Sequence, residues 1–166
     1  MCVLQIRNLD RIRVSGEPDA VHLADVNPNQ RLRPGYILIG LRAKPIRASV
    51  VTSEQVDYVA SSNLAVLLPR QDKQNVNPYY LAGLLRSQFL NRTISRETGA
   101  GKLPSLNLRI IRSLKFPLPS VDKQAAIADA FEALERYRDL AYDLVNLRTA
   151  QLEGDLSVSL SKDHGT

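Results

Sequence analysis

The chain has 166 residues, of which 44% are hydrophobic and 23% charged, with 22 Lys and Arg against 17 Asp and Glu. These values fit one folded domain of ordinary size and argue against a disordered chain or a multidomain enzyme. Cys2, His22 and His164 are its only cysteine and histidines, so an internal disulfide is excluded and neither a metal nor a cofactor is expected.

No apolar run reaches the roughly 18 residues that a membrane span needs. The opening MCVLQIRNLD also lacks a charged segment followed by an apolar one, so the expectation is a cytoplasmic protein without a membrane partner. The net charge of +5 conceals a division. Met1 to Ser120 carries 17 basic against 8 acidic residues, and Val121 to Thr166 carries 5 against 9. A basic body attracts polyanions, DNA foremost, whereas an acidic tail faces a different partner.

In chain order, short β-rich runs come first: Val3 to Arg7, Ala20 to Ala24, Tyr36 to Leu41, Ala48 to Val51 and Leu64 to Leu68. β-branched and large apolar residues bounded by turn formers predict strands. Pro34-Gly35 predicts a type II turn, because Pro presets φ and Gly accepts a positive one. Asn77-Pro78 predicts a helix start, with Asn as N-cap and Pro at the first helical position. Leu81, Leu84, Leu85 and Phe89 share one face of that helix, which should pack on the sheet. A basic loop from Arg96 to Lys102 and a short helix from Asn107 through Leu114 follow. The prolines of Lys115-Phe116-Pro117-Leu118-Pro119 then force an extended segment.

From Ser120 a long helix is predicted to about Glu153, with Gly154 as its stop, a span of roughly 50 Å. Ile127, Phe131, Leu134, Ala141, Val145 and Leu152 form a coiled-coil-type seam interrupted by Arg138 and Arg148. A second stripe through Tyr137, Leu140, Leu144 and Leu147 widens the apolar face beyond the need of a two-stranded coil. Such a helix calls for partners outside its own body. The expected organisation is a DNA-binding domain over residues 1–119, a spacer and dimerisation helix over 120–154, and a disordered tail over 155–166.

Catalytic motifs are incomplete. Asn77-Pro78-Tyr79-Tyr80 resembles the Asn-Pro-Pro-Tyr of amino-methyltransferases, but its third residue is Tyr79, and helix capping accounts for Asn77 and Pro78. Gly99-Ala100-Gly101-Lys102 is followed by Leu103, where a phosphate loop needs Ser or Thr to hold magnesium. The chain contains no Glu-x-Lys or Asp-x-Lys of a metal-dependent nuclease. His22 on an alternating strand and His164 near the end read as ordinary core or surface imidazoles. The chain is therefore not expected to be an enzyme.

Four segments together resemble the target-recognition domain of type I restriction-modification specificity subunits. They are PGYILIGLRAK (Pro34 to Lys44), ASSNLAVLLP (Ala60 to Pro69), NPYYLAGLLRS (Asn77 to Ser87) and GKLPSLNLRIIRSLKFPLPSVDKQAAIADAFEAL (Gly101 to Leu134). The last is the most specific: a loop, a short helix, the extended Leu-Lys-Phe-Pro-Leu-Pro, then Gln124 and Ile127 in a long helix. Tyr36 stands where the family usually has Asp, and Ala43 where it usually has Gly.

The resemblance implies an α+β fold, a β-rich recognition domain with short helices followed by one long C-terminal coiled-coil-type helix. It implies double-stranded DNA as ligand and a methyltransferase subunit docked on the helix, with a restriction subunit joining through the complex. A complete family member has two recognition domains and two helices. This chain, with one of each, is expected to be a half-subunit that starts inside its recognition domain and forms a homodimer through the helix. Two copies would read a bipartite inverted repeat.

The residues expected to touch DNA are Arg42, Lys44 and Arg47 at a strand end, and Gly99, Gly101 and Lys102 in the basic loop, where glycine lets backbone approach phosphate. Ser61, Ser62 and Asn63 offer donors and acceptors suited to base edges. The alternative function is a helical adaptor without DNA binding of its own.

Overall fold

A computed structural model describes residues 1–22, 27, 30–42, 45–68, 76–97 and 108–163. The chain divides into two compact units, Met1–Phe131 and Glu132–Thr166. Among the described residues the first holds six strands: β1 (Cys2–Leu4), β2 (Asp19–Ala20), β3 (Ile37–Gly40), β4 (Ala48–Val50), β5 (Val59–Ala60) and β6 (Leu64–Leu67). Helices α1 (Pro78–Arg86), α2 (Gln88–Glu97) and α3 (Leu108–Ser113) follow, and α4 (Val121–Asp163) begins in the first unit and continues as the second.

Two three-stranded sheets organise the body. One has the order β2-β1-β5, with β1 antiparallel to β2 and parallel to β5. The other has the order β4-β3-β6, antiparallel throughout, with Ile37 opposite both Val50 and Leu67. β3 reads Ile-Leu-Ile-Gly and is buried at every position. Alternate side chains of a strand point to opposite faces, and here both faces are covered. Ile37 and Ile39 join Ala48, Val50, Ala65, Leu85 and Leu90 in one core. Leu38 joins Leu4, Leu9, Leu32, Val51 and Leu64 in the other. A strand buried on both sides needs a continuous apolar run, which is why it was legible.

The strand ends are shorter than expected. β1 stops at Leu4 because Gln5 donates its backbone N–H to Asn8 Oδ1 at 2.8 Å, turning the chain into a 3-10 turn over Ile6–Leu9. β2 covers Asp19–Ala20; residues 23 and 24 of the expected strand lie outside the described residues, and His22 is exposed. β5 was not anticipated. Gly35 has φ +86°, and Tyr36 N–H reaches Arg33 O at 3.2 Å, which gives the expected turn at Pro34-Gly35.

Asn77 caps α1 as its chemistry requires, accepting from Tyr79 N–H at 2.9 Å and Tyr80 N–H at 3.3 Å, with Pro78 in the first turn. Arg86 braces the helix to the sheet by donating to Leu9 O at 2.9 Å, Ala48 O at 3.2 Å and Asp10 O at 2.5 Å. The expected face through Phe89 is corrected. α1 ends at Arg86, where Ser87 Oγ donates to Leu84 O at 2.6 Å, and Phe89 lies in α2 with 62% of its surface exposed. α3 occupies the place of the expected short helix; its expected cap, Asn107, lies outside the described residues.

Gly154 does not end α4. The helix runs 43 residues to Asp163, about 65 Å at 1.5 Å per residue. An interior glycine costs only about 1 kcal/mol relative to alanine, and the good helix formers around it, Leu152, Glu153 and Leu156, carry the helix through. Residues 155–163, expected as disordered tail, are therefore helical; residues 164–166 lie outside the described residues. The body also extends past residue 119. Its last unit boundary falls within α4, after Phe131, because the first turns of the helix pack on α1.

Candidate nucleic-acid interface

The β3–β4 connection and the β5–β6 turn meet at one end of the second sheet. Gly40 N–H donates to Arg47 O at 2.9 Å, and the next residue, Leu41, donates its N–H to Asn63 O at 2.9 Å. This backbone lacing gathers Arg42, Arg47, Ser61, Ser62 and Asn63, which are far apart in sequence. Arg42 and Ser62 are exposed, and Arg47, Ser61 and Asn63 are half-buried or partly so. Lys44, Gly99, Gly101 and Lys102, the other residues expected to touch DNA, lie outside the described residues.

Much of the basic inventory has local partners. Arg47 faces Asp10 at 2.5 Å, Arg31 faces Asp57 at 3.5 Å, and Arg7 bonds Asp19. The Arg13 guanidinium lies 4.5 Å from the Tyr79 ring centroid and donates to its hydroxyl at 3.1 Å. Exposed ion pairs of this kind contribute about 0–1 kcal/mol. Arg47 can therefore exchange Asp10 for a phosphate at little cost, whereas Arg86, held by three carbonyls, is structural.

Beside the β5–β6 turn lies an open cleft of about 440 Å³, lined in part by Gln30, Arg31, Tyr36, Ser61 and Ser62. Gln30, Arg31 and Tyr36 were not anticipated as site residues. The only signal for them was the Tyr of the Pro-Gly-Tyr turn, since Gln30 and Arg31 reach the cleft through backbone pairing: Arg31 bridges Val59, and Leu32 N–H donates to Tyr58 O at 2.8 Å. Ser61 Oγ is buried and has no hydrogen-bond partner among the described residues.

The start of α4 is fixed to the body through Gln124, which is 2% exposed. Its Oε1 accepts from Asn77 N–H at 2.8 Å and its Nε2 donates to Pro119 O at 2.9 Å. One side-chain amide thus joins the cap of α1, the end of the extended proline segment and the first turn of α4. Tyr80 donates its hydroxyl to Pro117 O at 2.7 Å, and burial raises its pKa above the ordinary phenol value. Ile127 packs with buried Tyr80, Leu84 and Ala128. The Phe131 ring occupies the space that a Cβ on Gly83 would fill. Ile127 and Phe131, expected in an assembly seam, are thus accounted for by the body's own packing.

The second unit is different. Leu134, Tyr137, Leu140, Leu144, Val145, Leu147, Leu152 and Leu156 are all exposed, as is Ala141. Arg148, which interrupts the seam, donates to Gln151 Oε1 at 2.8 Å. Among the described residues no group of His, Cys, Asp or Glu could hold a metal, and no helix is long and apolar enough to cross a membrane.

Residues 27–146 match the family described as type I restriction modification DNA specificity domain. The chain belongs to that family. The match takes in most of the body and α4 as far as residue 146, leaving residues 1–26 and 147–166 outside it. In three dimensions the chain resembles the crystal structure of the HsdS subunit from Thermoanaerobacter tengcongensis, with a TM-score of 0.61 and 21% identity. That likeness, a matter of fold alone, covers 84% of this chain and 37% of the HsdS chain. The specificity domain thus spans well under half the length of the solved relative. No curated protein matches it in sequence.

Proposed function

We propose that this chain is the sequence-reading, non-catalytic part of a type I restriction-modification system, acting in the cytoplasm. The body reads one half of a bipartite site on double-stranded DNA. The distal helix pairs with a second copy and docks a methyltransferase subunit, through which a restriction subunit joins. The observation that carries this reading is the family match over residues 27–146, which joins the body and the helix in one domain description.

The gathered Arg42, Arg47, Ser62 and Asn63 support a DNA-facing sheet end: cations for phosphates, and hydroxyl and amide groups for base edges. Lys44, Gly99, Gly101 and Lys102 remain part of the proposed contact set. The exposed apolar residues of the helix support an assembly role. A match that runs through the body weighs against a helical adaptor without DNA binding.

The test is duplex binding as a function of salt. Neutralising several phosphates gives a log-log slope of about −0.9 per contact. Lys44→Glu combined with Lys102→Glu is expected to weaken binding to all sequences alike. A chain that binds no duplex at low salt, alone or with a methyltransferase subunit, overturns the reading.

A further inference from the structure

We infer that the cleft beside the β5–β6 turn receives one unstacked nucleotide, with its base in the cleft and its phosphate on Arg31. The inference rests on the DNA-reading function and adds a second mode of contact to it, distinct from groove contacts by the neighbouring turn.

Three observations carry it. The first is Ser61, a residue of the cleft wall whose hydroxyl is buried just behind the surface and lacks a partner among the described residues. Buried polar groups are normally satisfied, and a turn of this side chain about χ1 toward the cleft lets a base edge, with its donors and acceptors, supply the missing partner. The second is the lining. Leu32, Leu64 and Val66 give an apolar floor, Tyr36 adds an aromatic ring, and Gln30 and Ser62 add polar groups. A nucleobase needs this combination: an apolar surface for its faces and hydrogen-bonding groups for its edge.

The third is charge. Among the described residues no carboxylate lines the cleft, while Arg31 does. Its partner Asp57 is 3.5 Å away, and both side chains are more than a third exposed, so the guanidinium can turn to a phosphate. A volume of about 440 Å³ lies within the usual range of small-ligand sites, about 300–1,000 Å³. The cleft shares Ser61 and Ser62 with the turn laced to Leu41, so a strand followed by that turn passes its mouth.

Backbone and methyl NMR of the full chain, titrated with each of the four deoxynucleoside monophosphates, tests this directly. Duplex binding is measured on the same sample. Saturable shifts are expected at Gln30, Arg31, Ser61, Ser62 and the Leu64 methyls, with the unphosphorylated nucleosides binding several-fold more weakly. Ser61→Ala is expected to reduce affinity about three- to tenfold, as for one lost hydrogen bond, without lowering the melting temperature. Ser62→Trp, at an exposed rim position, is expected to abolish the shifts.

Absence of saturable shifts overturns the inference. So does the same set of shifts from inorganic phosphate alone, or binding unchanged by both variants. Duplex binding without mononucleotide binding removes the cleft and leaves the DNA-reading function standing. Mononucleotide binding without duplex binding supports the cleft and removes duplex reading by the isolated chain.

Discussion

The body and the distal helix treat the same residue types in opposite ways. Leu38, Leu85 and Leu90 are at most 1% exposed, whereas Leu140, Leu144 and Leu147 are between 68% and 70% exposed. In the body, leucine stabilises the fold by leaving water; along the helix it contributes to a partner's surface or to nothing. The body therefore buries its apolar content within itself, while the helix leaves its own exposed to water.

The largest expected effect comes from making one change in both regions. Leu38→Ala removes a fully buried side chain from the core it shares with Leu4, Leu9 and Leu32 and should cost about 2–5 kcal/mol in urea denaturation. Leu144→Ala should stay within about 0.5 kcal/mol of the parent when the chain is monomeric. Equal losses would mean that the helix is already covered. Next comes the joint. Gln124→Ala leaves the Asn77 N–H and the Pro119 carbonyl without their partner and should destabilise the body by about 1–3 kcal/mol, visible as a lower melting temperature.

The two helical glycines sharpen the contrast, because the same substitution should act with opposite sign. A Cβ at Gly83 would meet the Phe131 ring, so Gly83→Ala should cost about 1–3 kcal/mol. Combining it with Phe131→Ala should recover part of that loss. Gly154 has open space around it, so Gly154→Ala should raise helicity by circular dichroism, worth up to about 1 kcal/mol locally. A stabilising Gly83→Ala would show that the ring is not seated there.

A modest effect, and the one that depends on pH, concerns Tyr80. Its phenol pKa is raised by burial, so its contribution is complete below the ordinary phenol pKa of about 10 and is lost as pH rises toward the folded-state value. Tyr80→Phe should cost about 1 kcal/mol at neutral pH through the lost bond to Pro117. It should also flatten the alkaline limb of the stability profile. An unchanged limb would assign it to another group.

Local chemistry was legible where it was sufficient by itself. Asn77-Pro78 and Pro34-Gly35 specify their cap and turn without help from elsewhere, and the apolar run of β3 announces burial on both faces. Features decided by distant partners were not legible. The parallel pairing of β1 with β5 joins Val3 to Val59, and neither segment signals the other. Leu84 and Phe89 shared a helical face on paper, but Ser87 divides them by bonding back to Leu84. Gly154 carried a stop signal that its neighbours outweigh.

For the candidate interface, Arg42 and Ser61 to Asn63 were expected by residue type alone, and the backbone lacing through Gly40 and Leu41 brings their segments together. Gln30 and Arg31 were not, because only tertiary pairing brings them to the cleft. Ile127 and Phe131 fitted a seam by spacing, yet periodicity cannot distinguish a partner's surface from the chain's own body.

Arg86 has one further consequence. Its guanidinium keeps its proton throughout the usable pH range, and the three carbonyls it holds, of Leu9, Asp10 and Ala48, carry no net charge for counterions to compete over. This cross-brace therefore tolerates ionic strengths that would strip a polyanion from the surface. Concentrated salt becomes a clean reagent for this molecule: it should elute the ligand and leave the scaffold folded.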